Sequence, residues 1–248
     1  CLNSVAYWFL TSYNRIAVND YLGPEANGYY AIAGRFGSMI TLFTTCFQMA
    51  WQELAYSKSA KEDGLGEFYS VATNNYIKSV GLVILIPSIF IIYPLMVNEA
   101  YGVGKELIPF YLLGTILSTI SSFLGNTFSA IKKNQLLFIT MLVGSVANVA
   151  CIHLLLPKLG LQASNVALAI GFLLICVTRL VLLKKELHIS IEYRNIVIVI
   201  IGFICVTAAY QYGNLWQNIV VMLVALALIF YFFKDIFHMV LQKVRTRG

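Results

Sequence analysis

The chain has 248 residues, 59% hydrophobic and only 11% charged, against about 25% charged in soluble domains, so lipid is the solvent for most of it. Seventeen Lys plus Arg outweigh eleven Asp plus Glu by +6, and the excess is sorted by loop, which argues against a nucleic-acid-binding surface. The five cysteines (Cys1, Cys46, Cys151, Cys176, Cys205) stand singly, without a CxxC pair or a Cys/His cluster, which argues against a disulfide framework or a zinc site.

Crossing the hydrocarbon core takes about 20 apolar residues, and eight such windows fit: 2–18, 28–54, 75–97, 108–131, 136–156, 161–183, 195–212 and 215–233. They are called spans a to h. The chain opens on Cys1 directly into span a, without the basic start and cleavage site of a signal peptide, so a truncated beginning is expected. Short links such as Gly23-Pro24, Lys132-Lys133-Asn134, Pro157-Lys158-Leu159-Gly160 and Gly213-Asn214 join the spans. The expectation is an all-α polytopic integral membrane protein with about eight transmembrane helices. It divides into a six-helix lobe over 1–187 and an accessory helix pair with a basic tail over 188–248.

Orientation follows from basic residues in alternate loops. Lys58, Lys61, Lys78, Lys132, Lys133, Arg179, Lys184, Lys185, Arg194, Lys234, Lys243, Arg245 and Arg247 fall on one side; Arg15, Lys105 and Lys158 fall on the other. The first side is expected to be cytoplasmic, with both ends of the chain there. Tyr29, Tyr30, Tyr93, Tyr101, Tyr210, Tyr212 and Trp216 collect at the opposite ends, where amphipathic rings settle at the interface. The basic tail reads as an anchor to anionic membrane lipid in preference to a nucleic-acid contact.

Spans a and b carry polar residues at helical spacing: Asn3, Tyr7, Thr11, Asn14 and Arg15 on a, and Arg35, Ser38, Thr41, Thr45, Gln48 and Gln52 along one face of b. Polar groups inside a membrane face a bundle interior or a water-filled cavity, so a hydrophilic path is one reading. Interhelical hydrogen bonding by Ser, Thr and Gln is the other. Arg15 lies within a turn of the outer end of a and can also snorkel to the interface. Arg35, about 10 Å into b by helical rise, is the stronger cavity candidate.

On span c, Pro87 falls in mid-span and suggests a kink, either a static bend or a moving part. Span d has small residues at Gly114, Ser118, Ser121, Ser122, Gly125 and Ser129, a pattern for close helix packing more than for substrate contact. Asn126, and Asn148 on e, are candidates for hydrogen bonds between helices. Spans g and h are apolar nearly all round. The only histidines, His153, His188 and His238, are scattered, and no Asp or Glu falls in mid-membrane, Glu53 at the inner end of b being the nearest. No catalytic or metal-binding constellation is visible and no cofactor is expected.

Taken together, Tyr13-Asn14-Arg15-Ile16-Ala17-Val18-Asn19-Asp20-Tyr21-Leu22-Gly23, then Gly28-Tyr29-Tyr30-Ala31-Ile32-Ala33, then Phe47-Gln48-Met49-Ala50-Trp51-Gln52-Glu53 resemble the seventh and eighth transmembrane helices of polysaccharide-biosynthesis flippases. These belong to the multidrug/oligosaccharidyl-lipid/polysaccharide exporter superfamily. The resemblance covers the first third of the chain in motif and the rest in helix count and spacing. Members commonly have an Asp before the arginine of the first segment; Asn14 stands there instead.

The resemblance implies two six-helix lobes around a cationic cavity, and transport, not enzymatic turnover, of undecaprenyl-pyrophosphate-linked oligosaccharides across the bacterial inner membrane for surface polysaccharides such as the O-antigen of lipopolysaccharide. Spans a to f would be the second lobe and would need the first lobe, or a homodimer partner, to close the path. Arg35 with Arg15 would attract the pyrophosphate, flanked by Asn14, while Ser38, Thr41, Thr45, Gln48 and Gln52 would offer hydrogen bonds to sugars. The rival readings are a multidrug exporter of the same superfamily, for which buried carboxylates are wanting, and a membrane glycosyltransferase or polymerase acting on the same lipid carrier. The latter has only Asp20 and Glu25 as outer-loop acids, and both also read as solvated loop residues.

Overall fold

The computed structural model describes residues 2–59, 64–79 and 86–227. Among them are helices α1 (Leu2–Thr11), α2 (Tyr13–Ser59), α3 (Leu65–Ser79), α4 (Ile86–Met96), α5 (Gly102–Ala130), α6 (Asn134–Leu159), α7 (Gln162–Leu187) and α8 (Tyr193–Tyr212), with no strand. A ninth, α9, covers Leu215–Ala227. Helix α5 with the short 3-10 turn before it, α6, α7 and α8 are each long and apolar enough to cross a bilayer, so the all-α membrane fold is as expected. The basic tail, His238 and the last third of span h lie outside the described residues.

Spans d to g map onto α5 to α8 within a few residues, and the g–h turn falls at Gly213-Asn214, between α8 and α9. Span a is less regular. Its helix breaks at Ser12, between α1 and α2, and α2 then runs on until Gly23, whose φ of 85° and ψ of 174° interrupt it. That backbone region suits glycine, and Pro24 pushes the residue before it out of the helical region. Two limbs of α2 result, one before Gly23 and one after.

Span c departs furthest from expectation. Helix α3 starts at Leu65, ten residues ahead of the expected start at 75, and α4 begins only at Ile86. Pro87 is the second described residue of α4, and the segment before it, 80–85, on which the expected kink depends, lies outside the described residues. By compactness the chain falls into two units. Cys1–Lys78 and Ala100–Ile196 form one, and Ser79–Glu99 with Val197–Gly248 the other.

In the first unit α2 lies against α5, α5 and α6 against α7, and α1 against α6. Lipid is as apolar as leucine, so burying Leu10, Phe172 and Ile175 in one cluster, or Val18, Ile152 and Leu156 in another, stabilises by tight packing and not by escape from water. Glycines provide the closeness. A Cβ on Gly114 would lie 2.8 Å from Leu168, and one on Gly171 would lie 3.0 Å from the Gly144 carbonyl oxygen. The small residues of span d thus meet α7, in the packing sense of the two readings.

Polar groups then lock the packed helices. Asn148 donates to Phe9 O (3.0 Å) and to Asn14 Oδ1 (2.9 Å), and Ser145 donates to Ala6 O (2.7 Å). The expectation for Asn148 is met, while Asn126 makes no hydrogen bond among the described residues. Arg179 corrects the loop inventory. It is 2% exposed, inside α7, and its guanidinium donates to Thr140 Oγ1, to the carbonyl and hydroxyl oxygens of Ser121, and to Leu137 O. It is a structural charge held by neutral acceptors of α5 and α6, so it does not count toward the cytoplasmic excess.

Helix α3 carries its own latch. Asn74 donates to Ser190 O (3.0 Å) and accepts from Glu192 N (2.9 Å), while the Ser70 hydroxyl accepts from Ser190 N (2.8 Å). The Asn74 amide thereby pairs with the 190–192 backbone as a neighbouring strand would. Lys78 and Glu192 close the end at 3.6 Å, both about half exposed. The hydrogen bond from Asn195, with Lys78 nearby, holds the Glu192 carboxyl below its ordinary value of 4.5. A depressed folded value adds stability present above the unfolded value and lost as pH falls through the folded one, so this end of the latch acts at neutral pH and fades in acid. Asn74→Ala is expected to weaken the attachment by about 1 kcal/mol, read as several-fold faster amide hydrogen exchange over 188–192 with α5 to α7 unchanged.

Candidate functional site

The second limb of α2 meets α5 through Tyr30, Ala33, Gly34 and Gly37, all buried. The pair Gly34 and Gly37, three apart, places two gaps on one face. A Cβ on Gly37 would lie 2.5 Å from the Tyr111 ring, and one on Gly34 would lie 3.3 Å from its hydroxyl. Tyr111, on α5, thus lies in a niche that only glycines leave open. Tyr30 closes the niche, edge-on to Tyr111 at a centroid distance of 5.4 Å.

Arg15 reaches the same point from the first limb. Its guanidinium lies 3.1 Å from where a Gly34 Cβ would be, a point that the Tyr111 hydroxyl also borders at 3.3 Å. It reaches across to the second limb at Gly34. Arg35 is the next residue along that limb, so its backbone lies one helical rise, about 1.5 Å, from the residue that the Arg15 guanidinium reaches. Both arginines are exposed, and neither makes an ion pair among the described residues. This open pair of cations is the centre of the candidate site.

The rest of the expected set splits. Ser38 and Thr41 are exposed on the same limb and Thr45 is half-buried. Their hydroxyls donate to the carbonyls four residues back, Gly34 (2.9 Å), Gly37 (3.1 Å) and Thr41 (2.7 Å). With donors engaged by the backbone, these side chains present acceptors to the open face. Gln52 is exposed and contacts the Tyr56 hydroxyl at 3.5 Å. Gln48 turns inward, half-buried, and donates to Thr119 O on α5 at 3.3 Å.

Asn14 leaves the group. It is fully buried, and its amide donates to Asn148 Oδ1 (3.2 Å) and Ser164 O (3.1 Å). It joins α2 to α6 and α7, a role that an ionised Asp could not fill, since the donor to Ser164 O would be lost. At the far end of the limb, Trp51 is stacked between Phe68 and Phe123, at 5.6 and 4.6 Å, and Tyr76 stacks on Phe123 at 4.1 Å. The Ala-Trp segment of the sequence pattern is therefore a packing element that holds α3 to α2 and α5.

Tyr111 and Tyr30 were not legible as site residues, because tyrosines abound at helix ends in this chain. The signal for them was the Gly34/Gly37 spacing beside Arg35. Elsewhere in the first unit, a polar cleft of about 450 Å³ lies between α3 and the latch segment, lined by Glu67, Asn74, Lys78, His188 and Glu192 among others. Among the described residues no three His, Cys, Asp or Glu side chains gather as metal ligands.

The helix order and packing define an all-helical, multi-pass membrane fold. In particular, the fold is similar to that of a solved structure of the lipid II flippase MurJ in its inward closed conformation, with a TM-score of 0.66 and 19% identity over 95% of this chain and 52% of that one. The likeness is one of fold, and the chain spans about half the length of that structure. No family model and no curated protein matches the chain.

Proposed function

We propose that the chain is one lobe of a bacterial flippase that moves an undecaprenyl-pyrophosphate-linked oligosaccharide to the outer leaflet for surface polysaccharide biosynthesis. The observation that carries this reading is that Arg15 and Arg35 are both exposed, the Arg15 guanidinium reaches the residue next to Arg35, and neither has a carboxylate partner among the described residues. Guanidinium groups recognise phosphate oxygens through paired donors. A pyrophosphate has charge and oxygens enough for two of them. The acceptors of Ser38, Thr41 and Thr45 then suit sugar hydroxyls, and the prenyl tail stays in lipid.

Closing such a path takes a second wall, since exposed polar groups cost free energy in hydrocarbon. The likeness to a chain about twice as long supports a preceding six-helix lobe as that wall, with a homodimer as the other arrangement. Basic loops at Lys132, Lys133, Lys184 and Lys185 favour a cytoplasmic d–e and f–g side.

The test is export of surface polysaccharide by the full-length protein in a strain lacking its own flippase. Arg35→Ala and Arg15→Ala are expected to reduce export at least tenfold at normal expression. Lys158→Ala, a change at the exposed end of α6, leaves it intact. Full export by the Arg15→Ala/Arg35→Ala double variant would sink this reading. Turnover of a sugar-phosphate donor by the purified protein would favour the glycosyltransferase.

A further inference from the structure

The niche at Gly34 and Gly37 does more than pack two helices. An arginine on a helix of this kind samples many rotamers, and each one lost on binding costs free energy. Arg15 is not left to sample them. Its guanidinium lies against Gly34, and the Tyr111 hydroxyl, a group able to accept from it, borders the same gap. The Tyr111 ring is itself fixed: Gly37 admits one face, Thr115 lies on the same side of the niche within 2.9 Å of a Gly37 Cβ position, and the buried Tyr30 ring stands edge-on to it. One acceptor engages only part of a guanidinium with five N–H donors, so donors remain for a ligand.

We infer that Tyr111 is a positioning residue, which holds the Arg15 guanidinium against Gly34, the residue next to Arg35, so that both arginines meet the anionic group of the substrate together. The inference rests on the proposed function for the identity of that anion. Its physical content is preorganisation: with Arg15 fixed in advance, the second cation adds its full share to binding. The glycines belong to the device, because an alanine at position 34 would press on both the Arg15 guanidinium and the Tyr111 hydroxyl and shift each by a few tenths of an ångström.

The test uses the full-length protein, purified in detergent, with farnesyl pyrophosphate as the probe and farnesol as the uncharged control. Tyr111→Phe keeps the ring in its niche and removes only the acceptor. It is expected to weaken farnesyl pyrophosphate binding roughly fivefold, the size of one hydrogen bond, while farnesol binding and the melting temperature stay unchanged. In an Arg15→Ala background the same change should have no further effect, since nothing remains to be positioned. Gly34→Ala should resemble Tyr111→Phe in both respects.

Equal loss of both probes, or additive losses in the Arg15→Ala background, would assign Tyr111 to packing and overturn the inference. If Arg15→Ala weakens binding and Tyr111→Phe does not, the positioning role fails and the proposed site stands. If neither Arg15→Ala nor Arg35→Ala changes farnesyl pyrophosphate binding, the proposed site fails and the positioning role goes with it.

Discussion

A Gly144→Val variant is expected to lose most of its folded population in detergent, with a destabilisation of about 3 kcal/mol or more. Gly144 is buried where α6 crosses α7. A Cβ there would meet the Ile175 side chain and lie 2.7 Å from the Gly171 carbonyl oxygen. A side chain can rotate away; a carbonyl inside a helix cannot. The two branched methyls of valine would therefore push α6 off α7, and with it the Asn148 contacts to Asn14 and Phe9. The measurement is thermal unfolding followed by size-exclusion chromatography of the detergent-solubilised protein. A drop of about 10 °C follows from that loss for a chain of this size. Wild-type melting of Gly144→Val would mean that the close approach of α6 and α7 is not formed in the membrane.

Replacing Arg179 should be nearly as severe, and the choice of replacement decides how severe. Arg179→Glu sets an anion against the oxygens of Ser121, Thr140 and Leu137, which offer it at most two hydroxyl donors, and should cost about 4 kcal/mol, on the scale of an uncompensated buried charge. Arg179→Lys keeps the charge but not the planar fork that reaches several acceptors at once, and should cost about half as much. The hydrophobic Arg179→Met removes the desolvation cost together with the bonds and should lie closest to wild type. Folded yield in membranes should thus run Met, then Lys, then Glu. Lys closest to wild type, with Met well below it, would show that the positive charge itself and not its burial governs the fold.

Much of the architecture is legible in the sequence because lipid imposes one rule, an unbroken apolar run, and spans d to g obey it. Gly23-Pro24 and Gly213-Asn214 are equally plain, since few other residues suit those turns. Span c shows where the rule fails. Helix α3 turns Tyr69, Ser70, Thr73, Asn74, Tyr76 and Ile77 inward and Glu67, Val71, Asn75 and Lys78 outward, and a window that seeks apolar residues passes over such a helix.

The site is legible in part. The stripe on the second limb of α2 follows from spacing, and the structure does expose Arg35, Ser38 and Thr41. Spacing cannot tell which polar side chains are already satisfied by a neighbour. Asn14, Gln48 and Arg179 all find partners more than thirty residues away in sequence. Only the packed structure separates them from Arg15 and Arg35. Tyr111 escapes notice for the same reason: what marks it is the absence of two side chains, at Gly34 and Gly37, on another helix.

The partners of Arg179 also have an order along the chain. Its acceptors, Ser121, Leu137 and Thr140, belong to α5 and α6, and both helices leave the ribosome before α7 does. An arginine entering hydrocarbon on an unaccompanied helix costs about 2.5 to 3.5 kcal/mol on insertion scales. Here the receiving oxygens are in the bilayer first. The charge is solvated by its own protein at the moment of insertion, so α7 is fitted to be delivered third. A permuted chain that presented α7 ahead of α5 and α6 would ask the membrane to accept a bare guanidinium that the natural order never exposes.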